Sequence, residues 1–251
     1  LKTAFMELPL GSIEPEGWLK DQLTIQANGL TGKLGDHWDD VGPNSGWLGG
    51  TGESWERGPY YLDGLLPLAY LLKDENLINK VQPWIEWTLA SQTSEGQFGP
   101  SSNGDWWSRM VMLKVLMQYE EVTKDNRVIP FMLNYFHYQK EHIEERPLTQ
   151  WAQARGSENM LCLQWLYKRT GEEWLLELSE VIRKQSINWT DIFSNFPFWR
   201  YQTRFDHRVH VVNVAMGLKY PALSYLQTKS EVDKTAAFKG IRSLMNYHGQ
   251  V

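Results

Sequence analysis

The sequence predicts an all-α protein built from helical hairpins, and three observations carry that prediction. Apolar runs recur in pairs joined by a tight polar turn. Within the runs the apolar residues keep helical spacing, as in Leu113, Leu116 and Met117, or Leu175, Leu178, Val181 and Ile182. Alternating strand patterns are scarce, and the best candidate, Val209–Val214, also fits a buried helix.

Taken in order, Trp18–Leu30 supplies an N-terminal helical segment. Leu62–Leu72 ends at Lys73-Asp74-Glu75, and Leu77–Leu89 follows. Trp106–Tyr119 ends at Thr123-Lys124-Asp125, and Val128–His142 follows. Asn159–Tyr167 ends at Thr170-Gly171-Glu172, and Trp174–Ile187 follows. Val209–Leu226 ends at Thr228-Lys229-Ser230, and Val232–Tyr247 follows. The turns lie roughly fifty residues apart, in the range of helical-hairpin repeats.

The loops between hairpins differ from the turns within them. Gly42–Gly58, Ser94–Asp105, Arg146–Ser157 and Asn195–His207 are long and rich in Gly, Trp, Asp, Arg and His, and each precedes the first helix of the next unit. In an α/α toroid the first helices form an inner ring, and these loops gather around one mouth at the helix N-termini. Unpaired N–H groups and partial positive charge there suit oxygen-rich ligands. An open helical solenoid uses the same hairpins with shorter, more uniform loops. The chain is therefore expected to be one α/α-toroid domain, (α/α)6-barrel-like but incomplete, with about four hairpins plus the N-terminal segment.

Composition narrows the partners. The 251 residues, 42% of them hydrophobic, are enough for one large core or two small ones. A net charge of −5 argues against a nucleic-acid or anionic-membrane surface. No apolar run approaches the roughly 20 residues of a membrane span. The single cysteine, Cys162, excludes an intrachain disulfide and a multi-cysteine zinc site within this chain. The sequence starts at Leu1, so the true N-terminus is expected upstream, and a carbohydrate-directed chain leans towards a periplasmic or secreted location.

Thirteen tryptophans are the unusual count, and several sit in the polar loops. Gly46–Leu65 is the densest case. Glycine permits sharp turns and close ligand approach. Tryptophan offers a flat apolar face with one N–H donor, and Glu and Arg add charged hydrogen-bonding groups. Trp47 and Trp55 are candidates to stack on a sugar, or to anchor the loop. Glu53, Glu56 and Arg57 suit hydroxyl binding, or carboxylate binding in the case of Arg57, or helix capping from Ser54.

Asp105 fits an N-cap. Trp106 and Trp107 point about 100° apart on a helix, so at most one of them easily faces a central cavity, with Arg109 nearby. Arg155, Glu158 and Asn159 form a third set, in which a buried Asn159 amide needs partners. His207 and His210 are three apart and so are expected to share a helix face. They suit donation to sugar hydroxyls, with Asn213 beside them; a metal pair lacks a third ligand at metal-like spacing. His137 and His142 are read as surface or packing residues. Gly49-Gly50-Thr51-Gly52 lacks the strand and lysine of a phosphate loop.

Pro9-Leu10-Gly11-Ser12-Ile13-Glu14-Pro15-Glu16-Gly17-Trp18-Leu19, the Gly46–Leu65 stretch and Asp105-Trp106-Trp107-Ser108-Arg109-Met110 together resemble the β-L-arabinofuranosidase family of glycoside hydrolases, along essentially the whole chain. The resemblance implies an (α/α)6 barrel, histidines that hold the arabinofuranose, and a retaining mechanism with a cysteine nucleophile held near zinc by glutamate and further cysteines. The family's catalytic glutamate and zinc ligands follow a segment resembling Asn246-Tyr247-His248-Gly249-Gln250. They are therefore expected beyond Val251, zinc belongs to the full-length enzyme, and Cys162 matches neither nucleophile nor ligand. The chain reads as the N-terminal part of a glycosidase acting on L-arabinofuranosyl or related non-reducing ends of plant-type glycans. A non-catalytic carbohydrate-binding or scaffold module of the same fold is one alternative. A toroid polysaccharide lyase or sugar epimerase, with His207 or His210 as base, is another.

Overall fold

A computed structural model describes Leu1, Thr3 and residues 5–249 of the chain. Gln250, the last residue of the family-like Asn246–Gln250 segment, lies outside the described residues. Helices are the only regular secondary structure among the described residues, with no strand, so Val209–Val214 is no strand: Val211–Gly217 is a helix. No helix among them is long and apolar enough to cross a membrane. The chain divides into two compact units, Met6–His142 and Leu1–Phe5 with Ile143–Val251.

The Met6–His142 unit begins with α1 (Gly17–Asn28) and the short α2 (Leu30–Lys33), followed by 3₁₀ turns at Leu34–Asp36, Asp39–Val41 and Gly46–Leu48. Two hairpins follow: α3 (Arg57–Leu72) with α4 (Glu75–Ala90), and α5 (Trp106–Thr123) with α6 (Val128–His142). The second unit holds α7 (Gln150–Ala154), α8 (Gly156–Thr170), α9 (Trp174–Gln185), α10 (Trp189–Ser194), α11 (Val211–Gly217), α12 (Lys219–Thr228) and α13 (Glu231–His248). The expected hairpins are present. The last first-helix run is split at Leu218, because Pro221 has no N–H to bond back towards Gly217 and α12 restarts at Lys219. The short helices α7 and α10 lie in stretches the sequence pattern left without helices.

The hairpin turns share one device. Lys73, Lys124, Gly171 and Lys229 each take a left-handed conformation at the helix C-cap, and each backbone N–H returns to a carbonyl of the last turn. In two of them the next helix starts at a side-chain cap: Asp74 accepts from Asn76 and Leu77 N–H, and Ser230 accepts from Val232 N–H. The capped reversal explains why the polar triplets in the sequence mark turns.

Within each unit the first helices lie parallel and in register. Along α3 and α5, Tyr60 meets Trp107, Asp63 pairs with Lys114, and Tyr70 meets Tyr119. Along α8 and α11–α12, Ser157 bonds to the Met216 carbonyl, Glu158 pairs with Lys219, and Gln164 donates to the Leu223 carbonyl. Contacts that climb both helices together require a parallel pair, with the intervening helices returning the chain. A parallel pair brings two N-terminal ends side by side, and so brings the two rich loops that precede them together.

Candidate functional site

In the Met6–His142 unit the loops before α3 and α5 are sewn to each other. Asp105 caps α5 by accepting from Trp107 N–H, and its other oxygen accepts from Trp55 Nε1 at 2.7 Å. Asn103 Nδ2 donates to the Ser54 carbonyl and to Ser108 Oγ, both at 2.8 Å. Helix α3 starts at Arg57 rather than being capped from Ser54, and no side chain caps it. The Glu56 carboxylate instead crosses to α5, where Trp107 Nε1 donates to Oε2 at 2.5 Å. The capping account of Ser54 and Glu56 is thereby corrected.

Beside Glu56 lies an open cleft of about 400 Å³. Leu30, Leu34 and Val41 give it apolar lining; Trp38, Tyr60, Tyr61, Glu56 and Arg57 supply its chemistry. Arg57 Nη1 pairs with Asp40, and the guanidinium stands 5.2 Å from the Trp38 ring centroid. Trp38 is 41% exposed, so its ring is available to a ligand. Burial raises the Tyr61 hydroxyl pKa, with Asp36 adding in the same direction against a hydrogen bond to the Gly35 backbone. It therefore remains protonated at neutral pH. A carboxylate, a guanidinium and aromatic faces beside an apolar lining can hold a small polyhydroxylated ring, by hydrogen bonds at its edge and stacking on its face.

Several residues expected to touch a ligand are structural. Trp47 is fully buried, donates from Nε1 to the Trp55 carbonyl at 2.9 Å, and packs edge-on to Trp87 and Phe98. Gly99, at φ +84°, passes so close to this ring that a Cβ would stand 2.7 Å from it. Arg109 is 1% exposed and its guanidinium donates to the carbonyls of Phe98, Asn103 and Asp105 at 2.7–2.9 Å. It binds the loop, not a solute. Trp106 is buried against Tyr135 and Tyr138. Trp107 is also buried, and it meets the cleft through its N–H to Glu56 and its ring against Tyr60. Trp55 is half-buried, its N–H held by Asp105 and its backbone N–H by Glu53 Oε1.

The second unit repeats the convergence with other residues. His207 and His210 share no helix face, because α11 begins after both, at Val211. They converge nevertheless, edge-on against Trp151 at ring separations of 4.7 and 5.2 Å. Arg155, 3% exposed, lies 4.7 Å from the same ring and donates to Asn213 Oδ1 at 2.7 Å, while Asn213 Nδ2 donates to the His207 carbonyl. Asn159 is fully buried in α8, removed from any solute. Glu158 is buried and paired with Lys219.

Sequence reasoning missed Trp38, Asp40, Tyr60, Tyr61 and Trp151. Asp36-His37-Trp38-Asp39-Asp40 carries a tryptophan among charges, as the chosen loops do, and was the available signal for the first two. Among the described residues no three His, Cys, Asp or Glu side chains converge as a metal site, and Cys162 is buried within α8. Comparison of the chain with protein-family models, curated sequences and solved structures finds no match.

Proposed function

We propose that this chain is the sugar-gripping part of a glycoside hydrolase similar to the β-L-arabinofuranosidases, with its hairpins arranged as an α/α toroid. It acts on L-arabinofuranosyl or related non-reducing-end sugars. The observation that carries the reading is the cleft beside α3, where Glu56, tied to Trp107, and Arg57, tied to Asp40, stand over exposed Trp38. Holding a carboxylate and a guanidinium in place before the ligand arrives reduces the ordering cost of binding. The cluster of His207 and His210 on Trp151 offers a second set of hydroxyl partners.

The motif resemblance supplies the reaction type, a retaining hydrolysis, and assigns bond cleavage to groups other than those of the cleft. Glu56 and Arg57 accordingly bind and orient the sugar. The test is release of arabinose from a panel of arabinofuranosyl glycans by the intact protein supplied with zinc. Release supports the glycosidase reading. Binding without release supports a carbohydrate-binding module of the same fold, and an unsaturated product absorbing in the ultraviolet supports a lyase. The absence of both binding and turnover removes the carbohydrate reading altogether.

A further inference from the structure

The segment from Asn195 to Arg208 is anchored at both ends and exposed between them. Phe196 stacks between Phe193 and Tyr247 at ring separations of 6.2 and 6.3 Å, and His248 Nε2 lies 2.8 Å from the Phe198 carbonyl. At the far end, Phe205 packs against Trp151 and His207 at 6.1 and 5.4 Å. Between these anchors Trp199 and Tyr201 are 52% and 90% exposed, and Phe205 keeps 66% of its surface exposed.

Charge is unbalanced in the same place. Arg208 is paired with Asp206, whose pKa the guanidinium draws down to about 2. Arg200 and Arg204 are exposed and have no ion pair among the described residues. The Arg200 guanidinium is instead laid on the Trp199 ring, 3.8 Å from its centroid. In a chain of net charge −5, a cationic stretch carrying exposed aromatic rings is a local exception. Exposed aromatic surface next to uncompensated arginines fits a partner with both flat apolar faces and negative charge.

We propose that Trp199, Arg200, Tyr201 and Arg204 form a subsite for carboxylate-bearing sugars, so that the glycan served by this protein is acidic. The rings stack on pyranose faces, and the guanidiniums donate paired, charge-assisted hydrogen bonds to uronate carboxylates. Phe205 joins this platform to the Trp151–His207–His210 cluster, so that one chain of sugars can span both. The inference rests on the carbohydrate reading of the cleft and extends it to the class of polymer. An anionic membrane is the competing partner. Two uncompensated arginines are fewer than the roughly four to eight basic residues of an anionic-lipid site, which favours the glycan.

The test is affinity electrophoresis of the full chain in gels containing polygalacturonate or neutral arabinan, beside sedimentation with vesicles of phosphatidylserine and phosphatidylcholine. Polygalacturonate should retard the wild type. R200Q/R204Q should weaken that retardation at least fivefold, and W199A/Y201A should weaken it without removing its salt dependence. Equal retardation of the wild type and R200Q/R204Q overturns the proposal, as does binding to the vesicles with none to polygalacturonate. Titration with a neutral arabinofuranosyl oligosaccharide separates the two readings. Retention on polygalacturonate without oligosaccharide binding sinks the cleft assignment alone, whereas oligosaccharide binding without retention sinks the acidic subsite alone.

Discussion

Trp107 donates its indole N–H to the Glu56 carboxylate across 51 residues of sequence. The bond links the start of α3 to the first turn of α5 and fixes a carboxylate at the edge of the cleft. A hydrogen bond to a charged acceptor contributes about 1.5–3 kcal/mol, more than a neutral pair. Trp107→Phe keeps a buried ring and removes the donor. The variant should lose about 2 kcal/mol in denaturant unfolding, and its affinity for an arabinofuranosyl oligosaccharide should fall with it. Unchanged stability and affinity would show that Glu56 is held by other means.

The left-handed C-caps make a second prediction. Lys124 sits at φ +58°, a conformation that costs a residue with a Cβ roughly 1–2 kcal/mol and glycine almost nothing. Part of that gain is offset by glycine's greater freedom in the unfolded chain. Lys124→Gly should therefore stabilise the protein by about 1 kcal/mol in thermal or denaturant unfolding. Its position in a turn, remote from the cleft, leaves sugar binding unaltered. A destabilised variant would contradict the capping account of the hairpin turns.

Part of the acid stability depends on Arg127. Hydrogen bonds from Arg127 lower the pKa of both Glu86 and Asp125 below their ordinary values of 4.5 and 3.8. Because the folded values are the lower ones, the stabilisation is full above about pH 5. It disappears as pH falls through the folded values. The groups are partly exposed and screened, so the total is about 1 kcal/mol. Arg127→Gln should lose that amount at pH 7 and show a shallower loss between pH 5 and pH 2, measured by denaturant midpoints across that range. A midpoint difference independent of pH would contradict it.

The hairpins were legible in the sequence because each reversal needs a particular chemistry: an αL C-cap such as Lys73 or Gly171, and polar residues around it to start the next helix, such as Asp74. Helices α7 and α10 were not legible, since runs of five or six residues lack the period that identifies a helix. The split at Leu218 follows from Pro221, a local signal overridden in the reading by a long apolar run. The 42–58 and 94–105 loops were identifiable from composition, whereas Trp38 and Asp40 lie just before the first of them. The direction of each side chain was not legible, because burial is set by the partner helix. Trp47 and Arg109 have the residue types of a binding site, yet the packing of α4, Phe98 and the 98–105 carbonyls turns both inward. His207 and His210 meet through a tertiary contact with Trp151, which no helical spacing encodes.

The central claim is that the Glu56–Arg57 cleft holds a sugar, and calorimetric titration of the intact protein with an arabinofuranosyl oligosaccharide tests it most directly. The account predicts one saturable site in the wild type. Binding should be at least tenfold weaker in Glu56→Gln and in Trp38→Ala, about 1.4 kcal/mol or more. Binding that is absent from the wild type, or that both variants retain at full strength, would contradict it.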